Sequence, residues 1–232
     1  MGTAPRSLED GLTSPAAVLW DMDGTLLDSE KLWDIPLNEY AAKLGAELPP
    51  ETRAAMVGSN IPTTMSLLFG AAGVDPAPED VREAVAWIDL RMAELFATDL
   101  TFRPGAEAAL RVVRDSGLPT ALVTSTERPL VEIALEVIGR GFFDVVVCGD
   151  EVDGKTKPLP EPYLRAARLL GVDPGACVAI EDSPTGTASA VAAGCSVLVV
   201  PCEVEVEPGE RRVLRESLVG LDMALLRAVL AG

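Results

Sequence analysis

The sequence predicts an α/β protein: a doubly wound, Rossmann-like parallel sheet with a helical-bundle cap domain inserted after the first strand. Three observations predict it. From residue 99 onward, short apolar runs of strand length alternate with helical segments and short loops. The preceding stretch, 29–98, has helical periodicity and no strand-like run. Ahead of it stands an isolated apolar run, Val18-Leu19-Trp20, that ends in Asp21-Met22-Asp23-Gly24-Thr25. A run of that kind suits a strand buried on both faces, whose C-terminal end is the edge where such sheets bind ligands.

Taken in order, residues 1–15 carry Pro, Gly and Ser without periodicity and read as a disordered or loose leader. The core comprises 16–28 and 99–232, and the cap 29–98. The first strand lies at about 17–21. In the cap, Leu37, Tyr40, Ala41 and Leu44 form one helical stripe, and Val81, Val85, Ile88, Met92 and Leu95 another. Pro49-Pro50, Pro62 and Asp75-Pro76-Ala77-Pro78 divide it into helices of ordinary length. Beyond Arg103-Pro104-Gly105, strands are expected at about 119–124, 143–148, 177–181 and 196–200. A helix from Pro184 to Ala193 has Ser183 as N-cap, proline at its first position and Gly194 past its end. A last amphipathic stretch runs from Leu221 to Leu230.

Composition narrows the function. A chain of 232 residues with 48% hydrophobic content can bury a substantial core. A net charge of −17 argues against sequence-independent binding to nucleic acid or anionic membranes, which needs basic surface. No apolar run approaches the ~18 residues of a membrane span, and the N-terminus lacks the order of a signal peptide. The expectation is a cytoplasmic protein, monomeric or weakly homodimeric. Cys148, Cys177, Cys195 and Cys202 lack metal-site spacing and read as reduced thiols, mostly buried. There is no histidine, so imidazole catalysis and imidazole metal ligands are excluded. Any chemistry must draw on carboxylates, hydroxyls and lysine, with an oxygen-ligated metal as the one further option.

The polar residues at the C-terminal ends of the expected strands fit that requirement. They are Asp21 and Asp23, then Thr124 and Ser125, then Glu181 and Asp182, with Lys157 added from the Lys157-Pro158 segment. Each alone suits an ordinary loop. Together they converge on one sheet edge.

In this order these residues resemble the haloacid dehalogenase superfamily, in particular its phosphatase branch with a helical cap, which includes β-phosphoglucomutase-like and phosphoglycolate phosphatase-like proteins. The family's four motifs correspond to Asp21-Met22-Asp23-Gly24-Thr25, Leu122-Val123-Thr124-Ser125, Lys157-Pro158 and Glu181-Asp182-Ser183. Pro104-Gly105 resembles the family's return from cap to core. The resemblance implies hydrolysis of a small phosphorylated metabolite through an aspartyl-phosphate on Asp21, with Asp23 as general acid and base. It implies Mg2+ held by Asp21, the Asp23 backbone carbonyl and Asp182, with Glu181 direct or behind them. Thr124 would bind a phosphoryl oxygen and Lys157 would offset charge, with Lys155 a weaker candidate for that role. Chemistry agrees: a carboxylate approaching a phosphate dianion meets repulsion of ~4 kcal/mol per charge pair at ~4 Å and a dielectric of ~20.

Gly24, Ser125, Arg53, Gly58 and Trp33 are the candidates for contact with substrate, the last three from the cap. Met56 and Trp87 read as cap core. The alternative enzyme is a sugar-phosphate mutase of the β-phosphoglucomutase type. Against it, Trp33 and Ile61 fall where the resemblance leads one to expect a histidine and a phosphate-binding arginine, although Arg53 could replace the latter. A magnesium-binding regulatory module that is phosphorylated without turnover is a further alternative. Asp23 argues against it, since an acid-base group is of use only if the phosphate leaves.

Overall fold

A computed structural model describes residues 13–232. The leader expected over 1–15 lies outside the described residues up to residue 12. Six strands, β1 (Ala17–Trp20), β2 (Thr120–Val123), β3 (Val145–Val147), β4 (Cys177–Glu181), β5 (Ser196–Val199) and β6 (Arg212–Leu214), form one sheet in the order β3-β2-β1-β4-β5-β6. Every pairing is parallel. β1 sits at the centre and all four of its residues are buried. Alternation along the strands divides the core in two. Val18, Trp20, Leu122 and Ile180 face one apolar cluster, while Ala17, Leu19, Val123 and Ala179 face the other.

The helices of the core follow this division. α5 (Ala106–Ser116), α6 (Arg128–Ile138) and α9 (Met223–Ala231) bury Leu110, Leu130 and Leu226 on the first face. α7 (Glu161–Leu170) and α8 (Pro184–Ala192) bury Tyr163 and Ala190 on the second. The chain winds outward from β1 to β3 and then crosses back to place β4 on the other side of β1. That reversal opens a crevice at the C-terminal ends of β1 and β4, the place where doubly wound sheets bind ligands.

The four cap helices are α1 (Glu30–Lys43), α2 (Pro50–Met56), α3 (Ile61–Ala71) and α4 (Pro78–Asp99). Pro50, Pro62 and Pro78 do more than interrupt: each stands in the first positions of a helix, where its missing N–H costs nothing. Of the two stripes, Leu37, Tyr40, Ala41, Ile88, Met92 and Leu95 are buried. Trp87 is only partly buried: its ring lies 5.5 Å from that of Tyr40 with the Lys43 ammonium 4.6 Å above it. The chain leaves and re-enters the core side by side, with the Asp28 N–H donating to Thr101 and the Arg103 N–H to Leu26, each at 2.9 Å. Gly105 then turns at φ +84, where a Cβ would come within 2.4 Å of the Val219 backbone nitrogen.

β6 corrects the expectation of five strands. It is three residues long, Arg-Val-Leu, with no buried position; β3 is as short, but its Val-Val-Val is an apolar run and β6 has none. Among the described residues no helix is long and apolar enough to cross a membrane. Cys148, Cys177 and Cys195 are buried free thiols and Cys202 is partly buried.

Candidate active site

The end of β1 delivers Asp21 into the crevice, and the end of β4 delivers Glu181 and Asp182 beside it. One oxygen of each lies within 4.8 Å of the other two. Lys157 reaches this trio from the loop before α7. Its Nζ donates to Asp21 Oδ1 at 2.7 Å, to Glu181 Oε1 at 2.6 Å and to the Val123 carbonyl at 3.0 Å. Lys155 is exposed and makes no such contact. Glu181 is fully engaged: Oε1 also accepts from the Tyr163 hydroxyl at 2.5 Å, and Oε2 accepts from the Asp182 N–H at 3.3 Å and the Ser183 hydroxyl at 3.4 Å. Gly186 makes room for it, since a Cβ there would lie 2.0 Å from Oε1. Asp182 Oδ1 accepts from Thr25 at 3.3 Å. Asp21 Oδ2 and Asp182 Oδ2 are buried and have no partner.

Three buried carboxylates share one ammonium, and the acids respond. Burial first, then the field of Glu181, pushes Asp21 up to about 8, with Lys157 pulling the other way. Burial and Asp21 raise Asp182 well above the carboxylate range. Lys157 is raised instead, because burial is outweighed by Asp21 and Glu181, so its charge is secure. Two buried, unpartnered carboxylate oxygens on acids of one close cluster fit a hard dication such as Mg2+.

Asp23 stands two residues beyond Asp21, at the cavity edge. Its Oδ1 accepts from Ser29 at 2.7 Å and from the Trp33 indole N–H at 3.3 Å. Its Oδ2 accepts from Thr126 at 2.7 Å and Thr124 at 3.3 Å. The Thr124 oxygen in turn accepts the Thr126 N–H at 3.0 Å. Four donors from cap and core thus fix the direction in which Asp23 points.

The cavity above these acids is closed by the cap. Trp33, Arg53, Met56, Gly58, Met65 and Ile88 line it from above. Of the residues expected to touch substrate, Ser125, Arg53, Gly58 and Trp33 are in its wall, and Gly24 is not. Gly24 lies beneath Asp182 at φ +75, where a Cβ would stand 2.2 Å from Asp182 Oδ2. Its carbonyl accepts from Arg103, which also donates to the Val200 carbonyl at 3.0 Å. The Ser125 hydroxyl is buried without a partner. Arg53 is held by Asp34 Oδ1 at 2.5 Å and Glu30 Oε2 at 2.9 Å. Gly58, at φ +65, lies against the first turn of α8, and a Cβ would meet Ser183 Oγ at 2.6 Å. Asn60 extends this seam by donating to Thr156 Oγ1 at 2.7 Å.

The sequence reading missed Ser29, Thr126 and Tyr163, and it assigned no role to Glu30. Ser29 carried a signal: it precedes α1 as an N-cap residue, yet its hydroxyl caps nothing and goes to Asp23 instead. Tyr163 and Thr126 carried none, being isolated hydroxyls without motif spacing.

Residues 15–194 match the haloacid dehalogenase-like hydrolase family. The chain belongs to that family. This haloacid dehalogenase-like hydrolase is 34% identical over 184 residues to hexitol phosphatase A of Escherichia coli (strain K12), across 78% of this chain and 81% of that one. It is 34% identical over 186 residues to the plasmid phosphoglycolate phosphatase of Cupriavidus necator, across 79% and 80%. Its structure is similar to that of CbbY from Rhodobacter sphaeroides in complex with phosphate, with a TM-score of 0.78, 30% identity and coverage of 89% and 96%. Family and phosphatase-named relatives together make it a phosphoric monoester hydrolase of the haloacid dehalogenase type.

Proposed function

We propose that this enzyme hydrolyses the phosphate monoester of a small sugar-like metabolite, in a magnesium-dependent reaction through an aspartyl-phosphate on Asp21. The observation that carries the reading is Asp21 itself. It is buried in the cavity wall with one oxygen fixed by Lys157 and the other unpartnered. A carboxylate held in one orientation at the floor of a cavity is a positioned nucleophile.

In the first step Asp21 forms a bond to phosphorus as the ester oxygen leaves with its electron pair, and Asp23 gives that oxygen a proton. In the second, Asp23 takes a proton from water, which attacks the same phosphorus and releases phosphate from Asp21. Ser29, Trp33, Thr124 and Thr126 keep Asp23 aimed at the departing ester oxygen in the first step and at the attacking water in the second. Thr124, whose bond to Asp23 is long at 3.3 Å, is the hydroxyl free to turn to a phosphoryl oxygen. Lys157 neutralises part of the charge that accumulates on Asp21 and the phosphoryl group.

Asp21 Oδ2 and Asp182 Oδ2 would hold the magnesium ion, with the Asp23 backbone carbonyl as the further ligand. Glu181, with both oxygens engaged, would act from behind by orienting Lys157 and the Asp182 backbone. When bound, magnesium supplies positive charge against the repulsion between Asp21 and a phosphate dianion. The hexitol phosphatase relative supports a sugar-like alcohol as the leaving group. Hydrolysis is favoured over the mutase alternative because Arg53, the available anchor for a second phosphate, is already paired with Asp34 and Glu30.

The test is phosphate release from a panel of phosphorylated metabolites and p-nitrophenyl phosphate, with magnesium and with a chelator, for the wild type, Asp21→Asn and Asp23→Asn. Release that requires magnesium and is lost in both variants is expected. Undiminished release by Asp21→Asn, or release that persists in chelator, would overturn the mechanism.

A further inference from the structure

The charges on the cavity wall are lopsided. Away from the nucleophile, the wall has one cation, Arg53, against the carboxylates of Glu30, Asp89 and Glu127. The charge of Arg53 is spent within the protein. Its Nε donates to Asp34 Oδ1 at 2.5 Å, and a terminal nitrogen donates to Glu30 Oε2 at 2.9 Å and the Glu30 carbonyl at 3.0 Å. Burial pushes Glu30 up to about 7, yet Asp34 still answers the guanidinium when Glu30 takes a proton.

Asp89 and Glu127 differ from that network. Asp89 comes from α4 of the cap, and Glu127 precedes α6 of the core, against which α4 packs. Both are partly buried and both line the cavity. Among the described residues neither has a hydrogen-bond or ion-pair partner for its side chain. Burial and then the field of Glu127 push Asp89 up to about 6, so the two are close enough to sense each other and Asp89 is still an anion at neutral pH.

We propose that Asp89 and Glu127 act as a charge filter at the seam of cap and core, so that the enzyme accepts monophosphate esters of uncharged, hydroxyl-rich alcohols and rejects esters that carry a second phosphate or a carboxylate. The proposal rests on the phosphatase reading above and names its substrate class. With the reacting phosphate at Asp21, the remainder of the substrate extends toward this seam. Hydroxyl groups can donate to both carboxylates and leave neither unpaired. An anionic group meets two carboxylates and no free cation. At ~7 Å and an effective dielectric between ~20 and ~80, each like-charge pair weakens binding by a factor of about 3 to 50. The rest of the cap wall, apolar at Leu37, Ile61, Met65 and Ile88 and neutral at Ser59 and Thr64, supplies no compensating charge. Two relatives at 34% identity, a hexitol phosphatase and a phosphoglycolate phosphatase, have names that point to opposite classes. The wall charges favour the first.

The experiment compares kcat/KM for sorbitol 6-phosphate and ribose 5-phosphate with that for fructose 1,6-bisphosphate and phosphoglycolate, in the wild type and in Asp89→Asn/Glu127→Gln. The wild type should prefer the first pair by at least about tenfold. In the double variant the ratio should fall at least about threefold, through a lower KM for the anionic esters. Raised salt should narrow the wild-type ratio in the same direction. The single variants provide the same readout should the double variant fold poorly. A wild type that prefers the bisphosphate or phosphoglycolate, or a ratio unmoved by the substitutions, overturns the filter and leaves the phosphatase reading intact. Should no ester, p-nitrophenyl phosphate included, release phosphate, that reading fails by itself. Calorimetric binding of sorbitol 6-phosphate and fructose 1,6-bisphosphate to the wild type then decides the filter, and tighter binding of the bisphosphate overturns it.

Discussion

The sheet edge and the cap face of the cavity are built on opposite principles. At the edge nearly every polar atom is bound: Lys157 has three acceptors, Glu181 four donors and Asp23 four more. The exceptions, Asp21 Oδ2, Asp182 Oδ2 and Ser125 Oγ, are grouped where a ligand would complete them. The cap face is largely apolar, with Trp33, Leu37, Met56, Ile61, Met65 and Ile88, and where it meets the core the seam holds two unanswered acids, Asp89 and Glu127. An over-determined polar network holds a few atoms in one geometry, as a reaction requires. A soft apolar face with sparse charges adapts its shape and selects mainly by repulsion. The difference teaches that this enzyme's chemistry and its selectivity can be altered separately.

Substitutions at the edge should therefore be costly, and the largest effect is expected for Lys157→Met. It leaves two buried carboxylates without their cation, which should cost ~3–5 kcal/mol of stability and lower kcat ~10²-fold or more. Denaturant melts and single-turnover kinetics would measure both, and a variant as stable and active as the wild type would break the comparison. Tyr163→Phe removes only the hydroxyl on Glu181 and should cost ~1–3 kcal/mol, provided no water replaces it. A midpoint unchanged in urea would mean that Glu181 is held well enough by Lys157 and Ser183.

The acids at the edge also make a pH prediction. Asp21 is raised from 3.8 to about 8 in the folded chain and Asp182 is raised too, so the folded state keeps protons that the unfolded state has lost. Stability of the chelated protein must then fall as pH rises from about 4 to about 8. Magnesium, which binds the ionised acids, should remove this loss and raise Tm at pH 8 by at least ~2–4 °C, the equivalent of ~1 kcal/mol in a chain of this size. Thermal melts in chelator and in magnesium at the two ends of that range check it, and a Tm in chelator that rises toward pH 8 refutes it. The smallest effect belongs to the cap. Met65→Leu conserves volume and should cost less than ~1.5 kcal/mol while altering kcat/KM only a few-fold. A loss as large as that of Lys157→Met would show that the cap face is as tightly specified as the edge.

What was legible in the sequence follows the same division. Strands buried on both faces, such as Ala17–Trp20 and Cys177–Glu181, write themselves as apolar runs, and acids at their ends are then located by topology alone. β6 is illegible because an edge strand of three partly exposed residues needs no apolar run. Asp21, Asp23, Lys157, Glu181 and Asp182 stand out in the sequence because several motifs converge on one edge, and the fold brings Asp21, Lys157, Glu181 and Asp182 into one cluster. Tyr163 and Thr126 were not, since their positions depend on how α7 and the loop after β2 pack in three dimensions. Asp89 lay hidden for a different reason: on a helical stripe it reads as one more solvated acid, and only the packing of α4 against α6 brings it to Glu127.

The hydrogen bond from Trp33 to Asp23 has an optical consequence. The chain has three tryptophans: Trp20 is sealed in β1, Trp87 lies under Lys43, and Trp33 has its indole on Asp23, the carboxylate we propose passes the proton. With Trp20 and Trp87 replaced by phenylalanine, a single fluorophore would remain, one hydrogen bond from Asp23. Its emission would then differ between the ionised and the protonated carboxyl, so that each turnover becomes visible as a flicker of ultraviolet light without any added dye.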